Sequence, residues 1–380
     1  MRSVLNRRFD SMRILQFNSR PMKQNQSGDF SLGRGGEPCA NGAKRGRGRT
    51  KRRWFRTSIG CCVLRWIVSS ATAAGSSSPS WIQLSPTTSP PARSYLAMTY
   101  DPASGKVIMF GGYDGTGYLN DTWTFDGTSW SRVQTPLSPP ARAASQMAYD
   151  VLTQKVVLFG GYNGTRYLGD TWLWDGRTSR WTRATPANHP TAVTSPMLFT
   201  DPNGRVDVYG GFDGRFYQYS MWQWTGSDWR RLSLVMLPYA RSSAAVGVNG
   251  ITGEVVLFGG LADINPVNTW TYDGKSWTLQ FPRTQPQWVY AGSAAFDPNL
   301  KAVVLFGGGS GGIDQNTTWE WIREPTWEGD GFTWKQVVIA KSPPPREGAG
   351  MAYSPSLGHD IIFGGQNSEV PLGDTWGLVP

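Results

Sequence analysis

Short apolar stretches recur along residues 81–380, and each is followed by a pair of glycines. The first full example is "VIMFGGYDGTGYLNDTWTFDGTSW", from Val107 to Trp130. It contains an apolar run, a polar loop, a short aromatic run and an Asp-Gly pair before a tryptophan. Short apolar runs bounded by turn residues indicate β-strands, and Asp-Gly between two such runs indicates a tight hairpin. The stretch therefore predicts short antiparallel strands joined by turns.

This phrase is one unit of a repeat. An aromatic residue followed by Gly-Gly occurs six times, at spacings of 49, 50, 49, 48 and 57 residues. A tryptophan lies 28 or 29 residues before each aromatic residue, and a second tryptophan lies 12 or 13 residues after it. The six aromatic residues are Phe110, Phe159, Tyr209, Phe258, Phe306 and Phe363. Six such units of about four strands predict a β-propeller, in which each unit forms one blade.

The ends of the repeat predict how the ring closes. In the first unit we place strands a, b, c and d at about residues 94–100, 106–111, 121–125 and 130–134. The last unit ends with its strand c, while an unpaired "WIQL" at residues 81–84 precedes the first unit. We therefore expect the strand near Trp81 to complete the sixth blade, which leaves no free sheet edge. An insertion near residues 324–331 explains the longest spacing and is expected to lengthen a c–d turn.

The Gly-Gly pair after an apolar strand, followed by Asp-Thr-Trp and a further tryptophan, resembles the Kelch repeat. Residues 81–380 are similar to Kelch six-bladed propellers, including the central domain of galactose oxidase and bacterial Kelch-repeat proteins. The resemblance implies an all-β, six-bladed Kelch-type β-propeller with four antiparallel strands per blade. It implies little about activity, because propellers carry many unrelated functions.

Charge divides the chain into two parts. Residues 1–80 contain 16 Lys and Arg against 3 Asp and Glu, whereas residues 81–380 contain 21 against 24. The basic surplus thus lies outside the repeats, and we expect no nucleic-acid partner for the propeller. No apolar run reaches the ~20 residues of a membrane span.

Residues 1–80 are predicted to be a disordered basic tail with a possible export signal around residues 51–75. That segment has a basic start, a short apolar run and an Ala-x-Ala end, although Arg65 interrupts the run. Export would place the propeller outside the cytoplasm as a secreted or extracytoplasmic protein. The alternative is a basic extension without a targeting role and a cytoplasmic protein.

Cysteine and histidine are scarce. The three cysteines lie at Cys39, Cys61 and Cys62, and the only histidines are His189 and His359. The repeats therefore cannot form internal disulfides or thiolate metal sites. They also lack the cysteine-linked tyrosine that the copper-radical chemistry of galactose oxidase requires. We predict no cofactor, no metal and no catalytic residue.

An arginine recurs 17 residues before four of the six aromatic anchors, while the other two units have Ala192 and Val289 there. These arginines are Arg93, Arg142, Arg241 and Arg346. We expect them at the mouth of the central channel, on the face that carries the b–c loops, where they could bind carboxylates. Kelch propellers that bind acidic peptides look similar at this position. The alternative is that each arginine bonds backbone or a carboxylate of a neighbouring blade.

The b–c loops of the first three blades carry aromatic residues at matching places. These are Tyr113 and Tyr118, Tyr162 and Tyr167, and Phe212 and Tyr217; the corresponding residues of the other blades are Leu261, Pro266, Gly309, Asp314, Gln366 and Pro371. Beside Asp114, Asn163 and Asp213, the rings could stack on a sugar or anchor a peptide. The alternative is that they only pack their own loops. The aspartates before strand c, Asp121, Asp170 and Asp374, are expected to be structural hydrogen-bond acceptors.

We predict a monomeric, non-catalytic binding module that recognises a protein segment or a glycan on the face of the d–a and b–c loops. The ligand-binding residues are expected to be the four arginines and the six aromatic residues of the first three blades. The alternative is a carboxylate-dependent, sugar-modifying hydrolase or isomerase with its site at the channel mouth.

Overall fold

The computed structural model describes residues 79–264, 266–326 and 329–380, and of residues 325, 326, 329 and 330 only the backbone. The expectations for residues 1–78, disorder and an export signal, lie outside the described residues. In the described part of the chain every regular element is a β-strand.

The first strand, β1 (Ser80–Leu84), belongs to the last blade. Blade 1 contains β2 (Ala97–Asp101), β3 (Lys106–Phe110), β4 (Thr122–Phe125) and β5 (Trp130–Val133). Blade 2 contains β6 (Gln146–Asp150), β7 (Lys155–Phe159), β8 (Thr171–Asp175) and β9 (Arg180–Arg183). Blade 3 contains β10 (Met197–Thr200), β11 (Val206–Tyr209), β12 (Met221–Trp224) and β13 (Trp229–Leu232). Blade 4 contains β14 (Ala245–Val248), β15 (Val255–Phe258), β16 (Thr269–Tyr272) and β17 (Trp277–Gln280).

Blades 5 and 6 each add a two-stranded hairpin in the b–c loop. Blade 5 contains β18 (Ser293–Asp297), β19 (Ala302–Phe306), the hairpin β20 (Gly309–Ser310) and β21 (Ile313–Asp314), then β22 (Thr318–Thr326) and β23 (Gly329–Val337). Blade 6 contains β24 (Gly350–Ser354), β25 (His359–Phe363), the hairpin β26 (Gln366–Asn367) and β27 (Val370–Pro371), then β28 (Thr375–Val379). The all-β fold with six four-stranded antiparallel blades confirms the prediction.

The N-terminal strand closes the ring as predicted. Strand β1 pairs antiparallel with β28, from Ser80 opposite Val379 to Leu84 opposite Thr375. The Trp81 indole is buried against blade 5 and donates a 2.9 Å hydrogen bond to the Thr318 hydroxyl. The first and last strands of the propeller therefore share one blade, and no blade edge faces a gap.

The insertion in blade 5 extends a hairpin instead of a turn. Strands β22 and β23 have nine residues each and stay paired as far as Thr326 opposite Gly329. Trp321 stacks on Phe332 with ring centroids 5.7 Å apart. The added residues continue the strand pairing because they alternate in a register that the two strands share.

The core consists of six apolar clusters, one between each pair of neighbouring blades. In five blades the strand-d tryptophan donates its indole N–H to a threonine hydroxyl that starts strand c of the preceding blade. In blade 4 the acceptor is the sulfur of Met221, 3.3 Å from Nε1 of Trp277. Each blade is thus attached to its neighbour by aromatic packing and by one directed polar contact.

Strand b is buried on both sides, which explains its continuous apolar sequence. Two aspartates interrupt this pattern. Asp360 lies in β25 where the other five blades have valine, and Asp207 lies in β11 where the other five have valine or isoleucine. Both side chains are 0% exposed.

Candidate ligand-binding face

The b–c and d–a loops lie on one face of the propeller and are longer than the turns on the other face. In blade 1 the b–c loop spans residues 111–121, whereas the a–b and c–d turns span residues 102–105 and 126–129. We call the first surface the loop face. Because its loops are longer, the loop face has room for side chains that are not needed to pack the strands.

The mouth of the central channel on the loop face is a closed ring of backbone hydrogen bonds. One residue per blade donates its N–H to the carbonyl of the equivalent residue in the preceding blade, at 2.7–3.0 Å. All six residues have positive φ, between 48° and 62°. They are Tyr95, Ala144, Ser195, Ser243, Ala291 and Gly348. The ring bounds a channel with a volume of about 350 Å³ that is lined by the strands a.

The four predicted arginines are buried just outside this ring. Each comes two residues before the ring residue of its blade. Their exposed fractions are 0% for three and 1% for Arg346. In blade 1 the Arg93 guanidinium donates to Oδ1 and Oδ2 of Asp121 at 2.6 and 3.0 Å, and to the carbonyl of Gly111. Blades 2 and 6 repeat this arrangement with Asp170 and Asp374. The guanidinium groups thus face structural acceptors inside the blade.

The arginines also join neighbouring blades. The backbone of Arg142 bonds the b–c loop of blade 1, where its N–H donates to Leu119 and its carbonyl accepts from Gly112. Its side chain bonds Asp170 of blade 2. The carbonyl of Arg142 also lies so close to Gly111 that a Cβ there would be 2.6 Å from it, which explains the first glycine of the repeat.

Burial opposes ionisation of Asp121, Asp170 and Asp374, but the hydrogen bonds and positive charge of the arginines outweigh it. The pKa of each carboxyl is therefore lowered. Each aspartate also accepts the indole N–H of the strand-c tryptophan at 2.6–2.7 Å. These aspartates act as the structural acceptors that the sequence suggested.

Blade 4 has the arginine without the acid. Arg241 donates to Oδ1 of Asn268 at 3.0 Å, but its Nη2 atom has no hydrogen-bond partner among the described residues. The indole nitrogen of Trp270 is likewise buried without an acceptor. Burial without a carboxylate lowers the pKa of Arg241 to about 10.

At the two positions of this pair, blades 3 and 5 have neither the arginine nor the acid. In blade 3 the bonds made by the arginine backbone elsewhere come from Val193, one residue after the expected Ala192. Val289 holds this place in blade 5 as expected. Ser220 and Thr317 stand there in place of the aspartate. Arginine and acid are therefore present or absent together, except in blade 4.

The six predicted aromatic residues form one continuous arc over blades 1–3. Rings of the same loop lie 5.1–5.3 Å apart, and Tyr118–Tyr162 and Tyr167–Phe212 connect successive blades at 5.8 and 6.1 Å. All six side chains are half-buried. They pack their own loops and also present ring surface to solvent.

The polar residues beside these rings stabilise the loops. Oδ1 of Asp114 accepts the backbone N–H groups of Thr116 and Gly117 at 2.8 and 2.7 Å. Asn163 and Asp213 cap their turns in the same way. These oxygens are consequently occupied by the turn.

A polar cluster that sequence reasoning missed lies at the opposite side of the channel mouth. Glu347 accepts hydrogen bonds from the Tyr95 hydroxyl at 2.6 Å and from Gln366 at 2.9 Å. Burial, followed by the neighbouring charge of Asp314, raises the pKa of Glu347. The Tyr290 hydroxyl lies beside its second oxygen near Gly309. Because these residues come from different blades, no local motif could have revealed the cluster.

Exposed apolar side chains concentrate on the loop face. Of the 16 large hydrophobic side chains that are exposed in the described part of the chain, 12 lie in b–c or d–a loops. Seven of them belong to three adjoining loops of blades 3 and 4, which we call the blade 3–4 patch: Phe216, Tyr219, Val235, Met236, Tyr239, Ile264 and Val267. Backbone bonds from Arg241 to Gln218 and from Ser242 to Leu261 hold these loops side by side.

Within the described residues, no group of three or more His, Cys, Asp and Glu side chains is arranged to hold a metal ion. That part of the chain also has no helix long and apolar enough to cross a membrane.

Residues 76–233 match the model of the KLHDC2/KLHL20/DRC7 Kelch-repeats domain. This span takes in β1 and blades 1–3, and blades 4–6 repeat the same strand order and the same Gly-Gly anchor. No curated protein matches the chain. Kelch propeller domains commonly mediate protein interaction. Residues 76–233 are therefore similar to a Kelch-repeats domain, and the described residues form a six-bladed β-propeller.

Proposed function

We propose that this propeller is a protein-interaction module that binds a partner segment through its loop face. The observation that carries the proposal is the placement of 12 of the 16 exposed large hydrophobic side chains on that face. A concentration of exposed apolar side chains on one face favours an interaction site, because a monomer gains nothing from leaving them in water.

The blade 3–4 patch supplies the apolar centre of the proposed interface. Met236 and Tyr239 are 55% and 61% exposed, and Val235 is fully exposed. The aromatic arc begins at Tyr113 and ends at Tyr217, in the same blade as Phe216 and Tyr219. A partner seated on the patch would therefore reach the arc, and aromatic side chains are frequent binding hot spots.

The four arginines contribute to this site through the loops that they anchor. Their N–H groups face Asp, Asn and backbone acceptors of the blade, and burial keeps them from a ligand on the surface. We propose that they fix the spacing of the b–c loops, while Tyr113, Tyr118, Tyr162, Tyr167, Phe212 and Tyr217 contact the partner.

A glycan on the same face is the second candidate within this class. The arc of rings could stack on sugars. However, Asp114, Asn163 and Asp213 already use Oδ1 to cap turns, which leaves fewer oxygens for sugar hydroxyls. We therefore favour a protein segment.

The enzyme alternative would rely on Glu347, the carboxyl at the channel mouth with a raised pKa. One of its oxygens accepts two hydrogen bonds, and the residue is only 8% exposed. A general acid or base must come within hydrogen-bond reach of its substrate. The buried position of Glu347 therefore favours a structural role.

The test uses the full chain as bait for a random peptide library displayed on phage, with a glycan array as a parallel arm. Enriched peptides should bind at least about tenfold more weakly to Met236→Ser/Tyr239→Ser, because this double variant removes apolar anchors. The control Val151→Ser/Leu152→Ser removes two equally exposed side chains from the opposite face. Absence of enriched peptides, or equal loss in the control, would contradict the proposal, and selective glycan binding would replace it with the second candidate.

A further inference from the structure

Asp360 occupies a position that the repeat otherwise reserves for valine. Its equivalents in blades 1–5 are Val107, Val156, Val206, Val255 and Val303. The Asp360 side chain is 0% exposed, and neither carboxyl oxygen has a hydrogen-bond donor among the described residues. A buried carboxylate without a donor is strongly unfavourable, so the position requires a compensating feature.

That feature lies across the junction with blade 5. Between blades 1 and 2, Asp101 caps the a–b turn and its Oδ2 accepts the indole N–H of Trp174 at 3.3 Å. In blade 5, Asp297 caps the same turn through Oδ1, but its Oδ2 is buried without a donor. The residue of blade 6 that corresponds to Trp174 is Leu378, which has no side-chain N–H and pairs in register with Asp360.

Asp360 therefore lies at the junction where Asp297 lacks the donor that Trp174 gives to Asp101, and it is close enough to feel the charge of Asp297. Two carboxylates in an apolar junction repel each other, whereas one protonated carboxyl supplies the missing O–H donor. Burial and the charge of Asp297 both favour the protonated form of Asp360. We propose that Asp360 keeps its proton in the folded propeller and donates it to Asp297, so that the blade 5–6 junction is a pH-sensitive latch.

The other groups near the pair do not supply a fixed positive charge to replace the proton. His359 is adjacent in β25, and burial lowers its pKa, which favours the neutral ring. Burial raises the pKa of Glu320 in β22, and the charge of Asp297 raises it further. The charge of Lys335 in β23 lowers it in part. Burial and the charges of Asp297 and Asp360 raise the pKa of Tyr353 in β24. Its hydroxyl lies 3.5 Å from Nδ2 of Asn299.

The position of the latch matters because blade 6 closes the ring. It is the only blade assembled from both ends of the propeller, through the pairing of β1 with β28. Loosening of its junction with blade 5 would expose Trp81, which packs into that junction. Loss of one proton would therefore act on the junction that holds the N-terminal strand in place.

The pH dependence follows from the direction of the shift. The folded state raises the pKa of Asp360, so its stabilising contribution is complete below the unfolded pKa of about 4 and is lost as pH rises through the folded pKa. The isosteric variant Asp360→Asn keeps a donor but cannot ionise. The unfolding constant of the wild type, divided by that of the variant, should rise up to about tenfold per pH unit across this range.

Three readouts decide the proposal. Urea unfolding from pH 4 to pH 9 should show the rising ratio, and the ratio of the wild type to Asp360→Val should rise over the same range. The infrared C=O band of protonated buried carboxyls should be weaker in Asp360→Asn than in the wild type at pH 7, and the part that remains should come from groups such as Asp207. Hydrogen exchange, corrected for intrinsic rates, should accelerate in β1 at a lower pH than in β7 of blade 2.

A flat ratio or an unchanged infrared spectrum in Asp360→Asn would overturn the latch, and so would equal acceleration in β1 and β7. A rise in the wild-type unfolding midpoint with CaCl₂, reversed by EDTA and absent in Asp360→Asn, would show that a cation and not a proton holds the pair. The infrared readout does not depend on unfolding, so it stays decisive if Asp360→Val folds poorly. None of these results bears on peptide binding at the loop face, so this inference and the proposed function fail separately.

Discussion

The junction between blades 1 and 2 and the junction between blades 3 and 4 are built from equivalent residues with different polar chemistry. At the first junction Trp181 donates to the Thr122 hydroxyl at 2.9 Å, and Arg142 pairs with Asp170. At the second, Trp277 donates to the sulfur of Met221, and Arg241 faces Asn268. A thioether sulfur is a weaker hydrogen-bond acceptor than a hydroxyl. An amide oxygen is likewise a weaker acceptor for an arginine than a carboxylate is.

Strand b adds a third difference. Ile108 packs into the first junction, whereas Asp207 replaces the aliphatic residue at the second. The nearby Gln223 donates to Oδ2 of Asp201 at 3.1 Å, and in the described part of the chain no donor has good hydrogen-bond geometry to either oxygen of Asp207. Burial, followed by the charge of Asp201, raises the pKa of Asp207 to about 8. The second junction thus contains more unsatisfied polar groups than the first.

This difference shows where the fold tolerates weak or missing hydrogen bonds. The weaker junction lies beneath the blade 3–4 patch, the surface with the largest group of exposed apolar side chains. Natural proteins often give up local stability where a surface serves binding. The closed ring permits this, because the remaining five junctions and the channel-mouth bonds still hold blades 3 and 4.

The largest expected effect comes from Asp207. Its folded pKa of about 8 lies above the unfolded value of about 4, so its contribution is complete below pH 4 and is lost as pH rises to 8. Relative to Asp207→Asn, the wild type should lose about 4 kcal/mol of unfolding free energy between pH 5 and pH 8. Urea unfolding at both pH values measures this difference. An equal pH slope in the two proteins would show that Asp207 does not titrate in this range.

The second prediction converts the strong junction into the weak one. Asp170→Asn replaces Oδ2, the oxygen that accepts from Arg142 Nη2 and from the Trp172 indole, with an NH₂ group, which should cost about 3 kcal/mol at pH 7. The pKa of Asp170 is lowered, so the difference should shrink as pH falls through the folded pKa, where the wild-type pair is also lost. Glu369→Gln, at an exposed turn, is the charge-matched control. A loss below that of the control would contradict a structural role for the pair.

The smallest expected effect is the reverse conversion. Asn268→Asp offers a carboxylate oxygen to Nη2 of Arg241 and to the Trp270 indole, and should add about 2 kcal/mol to the unfolding free energy. Ser220→Asp is the matched control, because blade 3 has Val193 in place of the arginine and gains no pair. Urea unfolding at pH 7 compares the variants. Equal stabilisation by both would mean that acidity at this position, and not pairing with Arg241, has the effect.

The fold could be predicted from sequence because the repeat is written six times. Each unit places an apolar strand, a double glycine and two tryptophans at fixed distances, and the leftover strand near Trp81 determines how the ring closes. The blade 5 insertion was located correctly. Its sequence mixes turn and strand residues, so only the structure shows that it pairs as a lengthened hairpin.

The site could be predicted only in part. Recurrence singled out the arginines but gave no information on which way their side chains point, and burial against Asp and backbone acceptors opposes the direct ligand contact that we expected. The sequence did contain a signal for that: arginine occurs where Asp or Asn precedes strand c, and valine occurs where Ser or Thr does. The blade 3–4 patch could not be predicted, because Val235 and Met236 lie in a d–a loop whose exposure depends on the neighbouring loops.

The ring of six backbone bonds at the channel mouth has an electrostatic consequence. Each N–H points to the preceding blade, so the six N–H···O=C dipoles run head to tail around a circle and add little along the channel axis. A helix end attracts anions because its dipoles add, but a circulating array has no such preference. The ring itself therefore gives an approaching ligand little preference of charge, whereas the carboxyl groups of Glu347 and Asp314 lie at this mouth.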